Sequence, residues 1–449
     1  MQASHGVIPV FDEPNLVSVA GLVPVLELAE TAGLSEAVES AVTLPAANLA
    51  AKVRTVVAGM LAGADSIDDL DVLRSGGTAR VVTGVRAPST IGTFLRSFTH
   101  GHVLQLAKTS RLVLAGLARR VPQLVGGDEL VFVDVDDTIR EVHGYAKQGA
   151  GFGYTGVRGL NALLVTISTP SSAPLITECA LRRGPTRSGK AADWHLKRAL
   201  SDTRALVGDD RQVWVRGDAA FATAKDVHAA LDAGAWFSFT VPAWPTVTRA
   251  IAAIDEGAWA PIRYPRAILD EATGEWISEA EVAEATITMF TSHRKAEQVD
   301  CRLVVRRVKR LGTPGQDELV TAWRHHAFIT NTTLDKIQAD QYHRGHAIIE
   351  QVIAELKAGP LAHLPSGKFT ANAAWLACAV IAFNIARAAA VAAGMTKIRM
   401  ATLLRTLINV PARLASTGRR TVMHLPDGWP WHDAWTDLWN TATGPPAAA

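Results

Sequence analysis

The sequence predicts an α/β fold in which a mixed sheet flanked by helices follows an all-helical N-terminal domain. Three observations carry this reading. Apolar residues recur at three- and four-residue spacing from residue 16 to about 122, which is the period of amphipathic helices. From Leu130 onward, short β-branched runs replace that pattern. Three such strands are then followed by helix, strand, helix and strand, an order that builds a mixed sheet covered by helices.

The chain has 449 residues, 48% of them hydrophobic and 20% charged, enough to bury a large core and to divide into more than one unit. Its 45 Lys and Arg against 43 Asp and Glu leave a formal charge of +2, so any surface for a polyanion must come from local clustering. Cys179, Cys301 and Cys378 lie far apart without metal-ligand spacing, which excludes a zinc module or a disulfide framework and points to a reducing compartment. The opening MQASHGVIPVFDEPN lacks a basic start followed by an apolar run, so a cytoplasmic protein is expected.

Each element follows from its own pattern. LVPVLELAETAGL, LAAKVRTVVAGMLAGA, SIDDLDVL, STIGTFLRSF and HVLQLAKTSRLVLAGLARR read as helices separated by Pro, Gly and Ser. This format suits helix-turn-helix DNA binding without being diagnostic of it. LVFVDVD, LNALLVTIS and APLITECAL read as successive strands, and AADWHLKRALSDTRALV as a helix. QVWVRGD, AKDVHAALDAG and AWFSFTV continue as strand, helix and strand. From Pro242 to Leu319 the pattern loosens around Trp244, Trp259 and Trp276 and then becomes the basic strand CRLVVRRVKRL, so 242–320 is expected to be a strand-rich insertion. HHAFITNT resumes the core and runs into a helix near Asp340. Ala371 to Gly394 is apolar enough to span a membrane, but Asn384 and Arg387 favour a helix enclosed by other helices. The expected units are 1–125, 126–241, 242–320, 321–410 and a tail, 411–449.

Three acidic positions stand out. In DVDDT, alternation along the strand places Asp134 and Asp136 on one face, where unpaired carboxylates are costly unless a cation or Arg140 compensates them. Asp218 closes QVWVRGD at the carboxyl end of a strand, where open α/β sheets form sites; a helix cap is the plainer alternative. In YHRGHAIIEQVIAELK, a continuous helix would bring His343, His346, Glu350 and Lys357 into one narrow sector, with Glu355 well away from Glu350. Hard magnesium or manganese prefers carboxylates, and two such ions can activate a nucleophile and stabilise a leaving oxygen in phosphoryl transfer.

The order Asp, Asp, Glu on this succession of strands and helices resembles the DDE transposases of bacterial insertion sequences, over about Asp134 to Lys357. DVDDT resembles the family's Asp-x-Asp-x-Thr segment, and the register assigns the first catalytic acid to Asp136 over Asp134 and Asp137. VWVRGDAAFA resembles the segment with Arg-x-Asp and a following Phe, which assigns the second to Asp218. Glu350 and Lys357 fit the Tyr-x-x-Arg-x-x-x-Glu-x6-Lys motif, whose Tyr and Arg positions fall on His343 and His346; Tyr342 and Arg344 stand beside them. The resemblance implies an RNase H-like catalytic core with a helical DNA-binding region at 1–125. It further implies Mg2+ or Mn2+, as two ions, held by Asp136, Asp218 and Glu350, with Asp134 as a supporting or alternative ligand.

His343, Arg344, His346 and Lys357 would then face double-stranded DNA, with Arg306 among further basic residues (Arg302, Arg307, Lys309, Arg310). The implied reaction is cleavage at terminal inverted repeats followed by transfer of the 3′-hydroxyl into target DNA, by a homodimer in a synaptic complex at the bacterial nucleoid. A metal-dependent nuclease of the same fold, a catalytically inactive DNA-binding remnant and a two-carboxylate glycoside hydrolase remain as alternatives.

Overall fold

The computed structural model describes residues 7–262, 280–309, 323–418 and 420–444. Trp276 and Arg310 lie outside these residues. The chain divides into an α/β unit, Val125–His143 with Gly149–Ala354, and a largely helical unit, Met1–Leu124 with Gly144–Gln148 and Glu355–Ala449.

In the α/β unit, runs of Val, Leu, Ile and Phe form β1 (Leu130–Glu141), β2 (Arg158–Ser168), β3 (Leu175–Arg183), β4 (Gln212–Gly217) and β5 (Trp236–Val241). Helix α1 (Ala192–Val207) joins β3 to β4, and α2 (Ala224–Asp232) joins β4 to β5. The strands lie in the order β3, β2, β1, β4, β5, with β1, β4 and β5 parallel and β2 antiparallel to both its neighbours. That is the RNase H-like arrangement.

The region expected as a strand-rich insertion does supply strands, and they extend the same sheet. Beyond β5 the same sheet continues through β8 (Trp323–Thr330), β7 (Val299–Lys309) and β6 (Ala280–Met289), all antiparallel. The reason is a shared core: Phe132 and Trp214 from the first strands pack in one cluster with Val282, Val304 and Phe328 from the added ones. Ala339 of α3 (Lys336–Arg344) completes the cluster, so one helix covers both halves of the sheet.

Helix α2 begins with Thr223 as its cap: Asp226 N–H donates to Thr223 Oγ1 (3.2 Å), and that hydroxyl donates to Asp226 Oδ2 (2.6 Å). Asp226 is buried, its Oδ1 has no hydrogen-bond partner among the described residues, and burial raises its pKa to about 7, assisted by Asp193. A carboxyl whose folded-state pKa is raised holds its proton more tightly than in the unfolded chain, so its contribution is lost as pH rises from about 4 to about 7. Asp226→Asn keeps the cap and removes the charge; near neutral to mildly alkaline pH it is expected to stabilise the protein by ~1–3 kcal/mol. Urea unfolding across pH checks this, and an Asn variant with the wild-type pH dependence would contradict it.

The helical unit is built around Phe369–Ala392, whose Ala-rich surface lets helices Leu22–Thr31, Leu49–Leu61, Pro88–Ser97 and His100–Arg120 pack against it. It is long and apolar enough to cross a membrane, yet 94% of its most apolar window is buried by protein, so it is a core helix. Arg387 pairs with Glu355 (2.8 Å) and lies over the Phe383 ring. The residues expected as a tail are ordered in this unit: Ala412–Thr417 pairs with both Leu16–Val17 and Arg420–His424, and a helix follows over His432–Thr443.

Candidate active site

The parallel register of β1 and β4 places Asp134 opposite Arg216 and Val135 opposite Gly217. The next residues along each strand are Asp136 and Asp218, so the register brings the two acids level where β4 ends. Gly217 is required there, because a Cβ would come within 2.9 Å of the Phe239 ring. Asp218 turns the chain into Ala219–Phe221, its Oδ1 accepting from Ala220 N–H (2.9 Å). It therefore does cap a short turn, as the plainer reading of the sequence allowed, while remaining exposed.

The electrostatics of this pair are unfavourable without a cation. Asp136 is half-buried, and burial raises its pKa to about 6, with Asp218 and Asp137 adding repulsion and the Asp137 N–H and His346 opposing it. Asp218 is also raised: protein crowded around its carboxylate dominates, Asp137 adds to it, and Ala220 N–H and His346 oppose it. Two neighbouring oxygen donors whose ionised forms are penalised are a setting that a hard divalent cation relieves. Glu350 lies in the first turn of α4 (Ile348–Lys357), exposed and without a hydrogen bond or ion pair among the described residues. Among the described residues, no three His, Cys, Asp or Glu side chains are already arranged to hold a metal ion. The fit to metal rests on the Asp136 and Asp218 pair.

Several residues occupy places other than those expected. Asp134, expected as a supporting metal ligand, is fully buried and committed to Arg216, which meets both its oxygens at 2.7 Å. His346 Nδ1 lies 2.9 Å from Asp134 Oδ1. Burial alone would lift the Asp134 pKa, but Arg216 and His346 reverse this and hold it below the usual carboxylate range. His346 was expected to face DNA; instead its Nδ1 is tied to Asp134, and its proximity favours the ionised forms of Asp136 and Asp218.

The expected continuous helix is broken by a 3-10 turn at Gly345–Ala347. Three residues at three per turn displace the helical phase by about 60°. His343 is consequently turned inward, its ring stacked on Phe328 (4.1 Å between centroids) and its nitrogens bonded to Ser238 (2.9 Å) and Thr240 (3.1 Å). Burial keeps its pKa well below the ordinary value, helped by His346 and Arg216.

The basic strand is likewise engaged internally. Arg306 and Arg344 share the buried Asp340 (3.0 and 2.8 Å), Arg302 pairs with Glu284, and Arg307 pairs with Glu281 and Glu256 between the Trp259 and Trp323 rings. These cations pin β7 to neighbouring elements rather than forming an open surface. Lys357 is half-buried at the last turn of α4, and Glu355 is turned to Arg387 and the Met400 N–H.

A second network went unnoticed in the sequence. Asp137, on the opposite side of β1 from Asp136, accepts from Asn161 (2.7 Å), Ser188 (3.0 Å) and Arg182. The available signal was a polar Asn161 inside the otherwise apolar run LNALLVTIS, since a buried polar side chain requires a partner.

A sheet of this order, with an acid on its central strand level with another at the end of the parallel neighbour, defines an RNase H-like enzyme of phosphoryl transfer on nucleic acid. The sequence fits that class over nearly its whole length: residues 4–442 match the family described as Transposase DDE domain group 1, and the chain belongs to that family. It is thus a transposase, an enzyme of metal-dependent phosphoryl transfer that binds DNA. No curated protein matches the sequence.

Proposed function

We propose that this transposase cleaves DNA at the ends of a bacterial insertion sequence and joins the freed 3′-hydroxyl to target DNA, with Asp136, Asp218 and Glu350 as the catalytic acids. The observation that carries the reading is the level placement of Asp136 and Asp218 across β1 and β4 in a chain of this family. These acids would hold magnesium or manganese, as two ions, and the metal supplies Lewis-acid activation of the attacking and leaving oxygens. Asp136, within β1, and Asp218, at the end of β4, would provide hard oxygen donors, and Glu350 the exposed third carboxylate. Asp134 acts at one remove: held by Arg216, it orients His346, which tempers the repulsion between the two aspartates. Lys357 would meet the DNA near the scissile phosphate, and two copies of the chain would synapse the two ends.

The test is a strand-transfer assay on pre-cleaved element ends, run with a chelator and after addition of magnesium. Joined products that require the metal are expected. Metal-dependent cutting without joining would reduce the protein to a nuclease, and an absence of both would indicate a DNA-binding remnant.

A further inference from the structure

We propose that the cleft formed by Arg183, Arg187 and Lys190 beside the turn after Asp218 binds the phosphodiester backbone of the DNA substrate. This rests on the transposase reading and adds to it the surface that carries the substrate. The cleft has a volume of ≈ 700 Å³, with Arg183 at the end of β3, Arg187 and Lys190 on the segment that follows, and Ala220 and Thr223 on the facing side of its lining. Among the described residues, no carboxylate lines it. All three cationic side chains are exposed, and none has a hydrogen bond or ion pair among the described residues. That distinguishes them from Arg302, Arg306 and Arg307, whose charges are already matched by internal acids.

The backbone beneath these side chains is fixed. Arg182, buried and bound to Asp137, donates through Nη1 to the carbonyls of Ser188 (2.8 Å) and Lys190 (3.1 Å). Ser188 Oγ donates to Asp137 (3.0 Å), tying the segment to the strand that carries Asp136. Gly189 lies so close to the turn after Asp218 that a Cβ there would stand 2.7 Å from the Ala220 carbonyl. A rigid backbone carrying cations unpaired among the described residues, and packed on Ala220 two residues beyond Asp218, suits a strand of phosphates leading to the scissile bond. Such contacts position a duplex without reading its sequence, because they meet phosphate oxygens and not base edges.

The experiment measures binding of a fluorescently labelled duplex of arbitrary sequence to the full chain, between ~50 and ~200 mM salt. Relative to wild type, R183A/R187A/K190A is expected to bind more weakly and to lose about 0.9 from the slope of log affinity against log salt for each phosphate contact removed. The charge-retaining R183K/R187K/K190R should keep the wild-type slope. Thermal melting controls for folding, and Arg187→Glu, a single change at an exposed side chain, supplies the same comparison if the triple variant melts early. Unchanged affinity and slope in a variant that melts like wild type would overturn the proposal while leaving the transposase reading intact. A wild-type chain that binds no duplex at any of these salts would overturn both.

Discussion

Asp136→Asn and Asp218→Asn are each expected to reduce end cleavage by on the order of 10³-fold while leaving duplex binding in place. The size follows from the role assigned to the metal, worth several kcal/mol of transition-state stabilisation, with ~1.4 kcal/mol for each factor of ten. Asn is close in shape to Asp and can still accept from the Ala220 N–H at position 218, so the turn there survives. Removing a charge from a pair whose ionised forms are already disfavoured should not weaken the fold. At neutral pH in the presence of a chelator, the Asp136→Asn protein is expected to melt no lower than wild type, because its carboxylate has a pKa raised to about 6. Single-turnover cleavage with magnesium, beside a melting curve, measures both effects. Cleavage within about tenfold of wild type in either variant would remove that residue from the assigned triad.

Arg216→Ala should be the most destabilising single change near the site, costing ~3–5 kcal/mol. Arg216 and Asp134 are 2% and 0% exposed, so loss of the guanidinium leaves a buried carboxylate with only His346 beside it. The same side chain donates to the Tyr342 carbonyl (2.6 Å) and lies over the Phe132 ring (3.9 Å to its centroid), joining β1 and β4 to α3. Replacing both members by apolar residues, as in D134L/R216M, removes the stranded charge and is expected to recover a substantial part of that stability. Urea unfolding of the three proteins decides the matter. A single Arg216→Ala variant within about 1 kcal/mol of wild type would show that the pair is not the brace it is taken to be.

These two expectations differ in how much of them could be read from the amino-acid order. Asp136, Asp218 and Glu350 were visible because each sits in a local context, a strand, a strand end and a helix, whose chemistry is set by a few adjacent residues. Arg216 was visible only as part of an Arg-x-Asp pattern and had no role until its partner was known. That partner, Asp134, lies 82 residues away. The basic run CRLVVRRVKRL shows the opposite error: its charge was evident, but Glu256, Glu281, Glu284 and Asp340, which neutralise Arg302, Arg306 and Arg307, come from other segments. His343 fell out of the expected stripe through a 3-10 turn whose phase shift no hydrophobic period announces.

What the sequence by itself determined is the class and succession of the elements, and the existence of acid-bearing strands and a glutamate-bearing helix. Hydrophobic period, β-branching and turn residues are local properties that act before any distant contact is made. Only the tertiary structure decided which side chains are spent on the fold and which are left for chemistry. The parallel register of β1 and β4 gives Asp134 to Arg216 and sets Asp136 level with Asp218, and the packing at and after the end of β3 leaves Arg183, Arg187 and Lys190 unpaired among the described residues. Pairing between residues so far apart depends on strand register and helix phase.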